Sequence, residues 1–363
     1  VEHKGSQYIP CSPAGAGNPG CGPQVWQWQS WSERAYRWDT NHQLIKQWDY
    51  PSDWTPPPNG PSRAEWEPVF HAAISQRGAG GELLVPAALG AIDRVDRRTG
   101  ARIARVDPFH GTATHAFVVS PISIDRAGNA YYTALVLDSS DPWEQQTTRA
   151  ATQGFLIKLG ADGVTTTTVS FTALIPGAPA SSDLCQVGFG AATPHLFPPQ
   201  DTDGGPTPSP TVPCGAQRPG INSAPAVGPD GAIYLVTKDN RYIGGPFSIT
   251  QLDANLQPEW GFNSFEPKSC GRGPDGGVEC ADNHPGGFEW CVNSVAIDQR
   301  GVVYANSEDG NLYAIGPGGG LRGRIFLNLS LGAAYTPLAL DDEGRIYTQN
   351  NGSLYVVGAA PAP

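Results

Sequence analysis

Four segments of the chain follow one grammar: SPISIDRAGNAYYTA (Ser120 to Ala134), SAPAVGPDGAIYLV (Ser223 to Val236), NSVAIDQRGVVYAN (Asn293 to Asn306) and TPLALDDEGRIYTQ (Thr336 to Gln349). Each opens on a small polar residue and a short apolar strand. A turn of Asp, Gly or Asn follows, then a second strand with Tyr inside it. Two copies run on into a third strand, NLYAIG (Asn311 to Gly316) and SLYVVG (Ser353 to Gly358). One such unit is too short to bury its own apolar face, so the copies must pack on one another. Strand–turn–strand units repeated along a chain predict an all-β fold, a single β-propeller of about six four-stranded blades, with five or seven as alternatives.

Composition fits a fold made of turns. The 363 residues include 45 Gly and 35 Pro, which falls short of low complexity, and 10 Trp and 12 Tyr supply core bulk. Net charge is −11 and no Lys/Arg run occurs, so nucleic acid, which demands clustered basic residues, is not expected as a partner. No apolar stretch approaches the ~20 residues of a membrane span. The chain starts at Val1 and contains no Met, the pattern expected of a processed, exported chain, whether periplasmic, cell-surface or extracellular.

The seven cysteines agree with export. Cys11/Cys21, Cys185/Cys214 and Cys270/Cys280 each bracket a Gly/Pro-rich segment without strand pattern, where a disulfide limits chain entropy. Cys291 is left over, and a Cys280/Cys291 pairing is the alternative. Zinc spacing is absent, as no Cys-x-x-Cys pair occurs.

Along the chain, residues 1–24 read as an irregular, disulfide-clipped arm, and residues 25–360 as the propeller. A hairpin, AYRWDTNHQLIKQWDY (Ala35 to Tyr50), precedes five repeats: Glu67 to Phe109, Thr114 to Phe171, Asn222 to Phe262, Val292 to Leu327 and Thr336 to Gly358. Irregular excursions are expected at 172–221 and 263–289. The fifth repeat lacks an outer strand. Because a ring escapes a free edge only by joining its first and last blades, the N-terminal strands are expected to help close it. Trp26, Trp28 and Trp31 alternate by two and are expected to pack against a neighbouring blade.

The segment GAIDRVDRRTGARIARVDPF (Gly90 to Phe109) resembles the repeat of PQQ-like, quinoprotein-type β-propellers. It has a strand ending in Asp, a Thr-Gly turn and an outgoing strand. The hairpin Ala35 to Tyr50 is similar, with Trp48 where that repeat often places an aromatic. The enzymes of that family carry an adjacent Cys-Cys pair and more blades than this chain has repeats for. The resemblance therefore implies the non-catalytic branch, with no cofactor expected and PQQ not expected. The cadence Ala296 to Tyr304 also resembles gluconolactonase- and strictosidine-synthase-type propellers. A secreted enzyme, quinone-dependent or of lactonase/lyase type, is thus the alternative to a protein-binding scaffold.

Candidate functional residues are few. His115, with Asn222, Asn293 and Tyr335 at matching positions of other repeats, is expected to line the funnel face. There these residues form a polar ring bonded to backbone or water, the alternative being an axial ligand or base at His115. The turns beginning at Asp125, Asp298 and Asp341 and the Asp230-Gly231 turn are expected to be structural hairpin turns. Asp201 and Asp203 form the nearest approach to a Ca²⁺ loop, without the later acidic residues of a full one. With no catalytic motif in view, the expected partner is a protein, or further copies of the chain, on the loop face.

Overall fold

The computed structural model describes residues 2–6, 29–54, 72–78, 80–137, 151–175, 182, 184–187, 211–213, 218–220, 223–238, 242–243, 247–263, 268–272, 278–282, 294–306, 310–327, 337–350 and 352–358. They are nearly all β, and the α-helix among them is the four-residue α1, Phe171–Leu174, whose N-terminal N–H is capped by Ser170. The chain divides into two compact bodies, residues 1–144 with 148–169, and residues 145–147 with 170–363. No helix among the described residues is long and apolar enough to cross a membrane.

The first body holds three sheets. β1 (Glu2–Ser6), β2 (Gln29–Trp38) and β3 (Leu44–Ser52) form one, in that order. The arm expected to be irregular therefore contributes a strand at its start. The first repeat is the antiparallel meander β4 (Ala73–Ser75), β5 (Glu82–Pro86), β6 (Ile92–Asp96) and β7 (Arg102–Val106). The second repeat is built from β8 (Ala116–Val118), β9 (Ser123–Ile124), β10 (Ala130–Leu137), β11 (Ala151–Leu159) and β12 (Thr166–Ser170).

The second body begins with β13 (Leu184–Val187) and β14 (Thr211–Pro213), antiparallel to each other. β15 (Arg218–Pro219), β16 (Ala226–Val227) and β17 (Ile233–Lys238) follow. β18 (Tyr242–Ile243) runs parallel to β13, while β19 (Phe247–Leu252) and β20 (Pro258–Asn263) complete the third repeat. β21 (Lys268–Arg272) and β22 (Val278–Asp282) form a two-stranded sheet. The fourth repeat is β23 (Ala296–Ile297), β24 (Val303–Asn306), β25 (Asn311–Ile315) and β26 (Leu321–Phe326). Among the described residues the fifth has three strands, β27 (Ala339–Leu340), β28 (Ile346–Asn350) and β29 (Ser353–Val357). Both excursions, expected to be irregular, thus carry strands.

Three of the six cysteines expected to pair fall outside these elements. Cys11, Cys21, Cys214 and Cys291 lie outside the described residues, and with them both partners of Cys11–Cys21 and one partner of Cys185–Cys214. Cys185 is in β13, where the residue opposite it is Val212 and not a cysteine. Cys270 and Cys280 lie in β21 and β22, so this pair brackets a hairpin and not the strandless segment expected.

The inner turns explain the repeat. Asp298 Oδ1 accepts from the Val302 N–H at 2.9 Å, and Asp341 Oδ1 from the Arg345 N–H at 2.8 Å. Asp125 does the same with Asn129 at 2.8 Å. The second oxygen of each takes the hydroxyl six residues on: Tyr131 at 3.0 Å, Tyr304 at 3.4 Å and Tyr347 at 2.9 Å. One carboxylate therefore closes the turn and ties it to the second strand. Gly128, Gly301 and Gly344 sit at φ of +89°, +74° and +80°, which the tight turn requires. In the third repeat Gly228 stands where the Asp would be. These aspartates are committed to turns, as expected.

The outer hairpins share a second device. Asp39, Asp96, Asp162 and Asp253 each accept two backbone N–H groups of the turn that follows. The ladder slips by a bulge at Ala35/Tyr36, Arg94/Val95, Gln251/Leu252 and Ala314/Ile315, just before the turn in each case. The N-terminal hairpin β2–β3 is thus built like the outer half of a repeat. Trp31 is buried and meets Trp54, just beyond β3 of its own hairpin, edge-to-face at 5.1 Å. Trp26 and Trp28 lie outside the described residues.

Candidate functional site

In the first body, two neighbouring loops form an exposed surface. The loop between β5 and β6 makes a single 3-10 turn, Ala88–Gly90. Leu89 sits there at φ +60°, a left-handed conformation that is uncommon for a bulky residue, and is 50% exposed. Close packing holds the turn. A Cβ on Gly90 would fall 2.8 Å from Phe109 Cε2 and 3.1 Å from Ala116 Cβ. The Tyr132 hydroxyl donates to the Gly90 carbonyl at 3.2 Å, and Asp53 Oδ1 accepts the Ala88 N–H at 2.9 Å.

The second loop runs from Asp107 into β8. Asp107 accepts the N–H groups of Phe109 (2.8 Å) and Gly111 (2.7 Å), and His110 takes φ +51°. His115 is exposed at its end, with Nδ1 3.1 Å from Thr114 Oγ1. Burial, and then the Asp107 charge, push the Tyr132 phenol far above its ordinary range. Tyr132 is therefore a neutral donor at all physiological pH. The other funnel candidates, Asn222, Asn293 and Tyr335, and the Ca²⁺ candidates Asp201 and Asp203, lie outside the described residues.

A charged network supports the first loop from behind. Arg105 forks onto Asp93 at 2.8 and 2.7 Å and onto Asp53 at 2.8 and 2.9 Å. Tyr50 donates to Asp93 at 2.6 Å. Asp93 is 1% exposed, and a buried carboxylate persists only when paired in this way. Burial, and then the bond to Asp93, raise the Tyr50 phenol. A second network holds Glu82, also buried, between Arg77 and Arg94. Arg77 continues to the carbonyls of Ala161 (2.8 Å), Gly128 (3.2 Å) and Gly160 (3.0 Å), binding the turns of the second repeat to the first. An open cavity of about 360 Å³ lies on those turns, lined by Asn129, Lys158, Gly160, Ala161, Asp162, Thr165 and Thr167, and His115 is not among its walls.

In the second body, a cluster of amides gathers where second strands end. Asn306 donates to Thr348 Oγ1 at 2.8 Å and to the Gln349 carbonyl at 2.9 Å. Asn306, Thr348, Asn311 and Asn350 are each at most 2% exposed. Sequence reasoning passed over them, although Asn306 and Asn350 both lie shortly after the repeat Tyr. Neutral amides and hydroxyls can bind by hydrogen bonds but cannot move a proton near neutrality. Among the described residues, no three His, Cys, Asp or Glu side chains are placed to share a metal ion.

No family model matches the chain, and no curated protein does so by sequence. Solved structures similar to it include BamB from Moraxella catarrhalis, at 12% identity over 90% of this chain and 80% of that one, with TM-score 0.38. Sqt1 from Saccharomyces cerevisiae is similar at 11% identity over 92% and 69%, with TM-score 0.48. The quinohemoprotein alcohol dehydrogenase of Comamonas testosteroni is similar at 15% identity over 78% of this chain and 42% of that one, with TM-score 0.42.

Proposed function

We propose that the chain is an exported β-propeller of six blades, closed with the help of its N-terminal strands, that binds a protein partner through its loop face without catalysing a reaction. Six sheets follow the repeat pattern, the β1–β3 sheet and the five repeats, while the β13/β14/β18 and β21/β22 ladders are insertions. Among the described residues no strand pairs with the outer edge of β29, which supports closure by another strand. Leu312, in the third strand of the fourth repeat and opposite Ile325 of β26, is 2% exposed, whereas Leu354, its counterpart in the fifth, is 64% exposed. On this reading the chain belongs to the non-catalytic branch of PQQ-like propellers.

The observation that carries the binding reading is Leu89. A solvated leucine held left-handed at a loop tip costs the fold on two counts, and such strain collects at functional loops. With Leu89 as the apolar anchor and His115 nearby as a polar contact, the pair has the make-up of a small recognition patch.

The test is capture of a stoichiometric partner from the native extract by wild type, Leu89→Asp and Val164→Asp, the last being an exposed residue of a different loop. The reading expects Leu89→Asp alone to lose the partner. Equal loss in both variants, or no partner for the wild type, contradicts it. A bound quinone seen by near-ultraviolet absorbance, or a stoichiometric metal released by His115→Ala, would favour the enzymatic alternative instead.

A further inference from the structure

We propose that Cys270 and Cys280 are joined by a disulfide that clips the β21–β22 ladder across its middle. The register pairs Lys268 with Asp282, Cys270 with Cys280 and Arg272 with Val278, so the two cysteines stand directly opposite and share a face of the ladder. Directly opposed residues of an antiparallel pair have Cα atoms about 4.5–5.5 Å apart, whichever class of pair they form. That range lies inside the roughly 4.4–6.8 Å that disulfides span. Sequence spacing alone could not distinguish this pairing from Cys280–Cys291, whereas the register singles out Cys270.

The ladder also needs such a link. Among the described residues it is a sheet of two strands, and two-stranded hairpins are marginal in water. Its connection, Gly273-Pro-Asp-Gly-Gly277, has no apolar residue to bury. Closing the bond releases two electrons, which an oxidant must accept. Both thiols lose their protons, and a glutathione disulfide or an equivalent oxidoreductase disulfide is reduced to two thiols as the Cys270–Cys280 bond forms.

The test is peptide mapping of the full chain equilibrated in a glutathione redox buffer, with free thiols alkylated before digestion. Trypsin cuts after Lys268 and Arg272, and a glutamate-specific protease cuts after Glu279 and Glu289, so the three cysteines fall on separate peptides. We expect Ser269–Arg272 linked to Cys280–Glu289, with the link kept in Cys291→Ser and Cys270 alkylated in Cys280→Ser. Mapping under denaturing conditions reads the bond whether or not a variant folds well. Alkylated Cys270 in the wild type, or a link from either cysteine to Trp290–Arg300, would overturn the assignment.

Discussion

Trp48 fills the space that a side chain on Gly100 would need: a Cβ there would come within 2.7 Å of the indole, whose Nε1 donates to the Arg97 carbonyl at 3.1 Å. The same relationship recurs in the second body, where a Cβ on Gly319 would come within 2.9 Å of Trp260. In both cases an outer-strand tryptophan covers the outer turn of the repeat that follows. The N-terminal hairpin therefore stands to the first repeat as the third stands to the fourth.

Removing that cover should be costly. Trp48→Ala is expected to destabilise the protein by about 2 kcal/mol, below the range for fully buried Trp because Trp48 is half-buried. Trp38→Ala, at a side chain 64% exposed, should stay within about 0.5 kcal/mol. Urea denaturation of the two variants checks the difference, and equal losses would refute the role given to Trp48.

The Glu82 network should behave as a buried ion pair. Glu82→Gln leaves two partly buried guanidinium groups without their carboxylate and is expected to cost about 3 kcal/mol. Glu343→Gln, whose carboxylate is 62% exposed beside Arg345, should cost no more than a few tenths. Thermal unfolding of both variants reads the contrast.

Acid should loosen the turns in a defined window. Hydrogen bonds from the Thr165 hydroxyl and the Val164 and Thr165 N–H groups hold Asp162 at about 2. Asp341 is also held at about 2: burial would raise it, but the Arg345 guanidinium and N–H and the Tyr347 hydroxyl outweigh that. Both folded values lie below the unfolded value of about 3.9. Their contribution is therefore complete above about pH 4 and is lost as pH falls from about 4 towards 2. Asp341→Asn should flatten that part of the stability–pH curve measured by chemical denaturation, and an unchanged slope would contradict the assignment.

The buried amide cluster gives a further expectation. Asn306→Ala strands Thr348 Oγ1 and the Gln349 carbonyl and should cost about 1–3 kcal/mol. Thr348→Val should cost less, because it removes one partner of Asn306 and keeps the other. Denaturation midpoints of the two variants test the order.

What could be read from the sequence was local. The Asp–Gly turn and its Tyr lie within seven residues, so turn chemistry specifies them wherever the chain goes, and the inner strands of the second, fourth and fifth repeats lie where that chemistry puts them. Trp48 stood out as an aromatic, but its glycine partner lies 52 positions away with no pattern joining them. The Arg77 contact to Ala161 spans 84 positions and is likewise invisible in a local reading. The excursions look irregular in sequence because β13, β14, β21 and β22 are short and lack apolar alternation. Of the site, His115 lies at the entry to β8, a position readable from the strand pattern, whereas the left-handed conformation of Leu89 cannot be inferred from residue type.

The most direct test of the whole account is an experimental structure of the chain. The account predicts six sheets around a common axis: the β1–β3 sheet beside the first repeat, a strand from the N-terminal segment seated on the free edge of β29, and Leu89 and His115 on the same end. A ring of five or seven sheets, or two separate stacks with β29 left open, would contradict it.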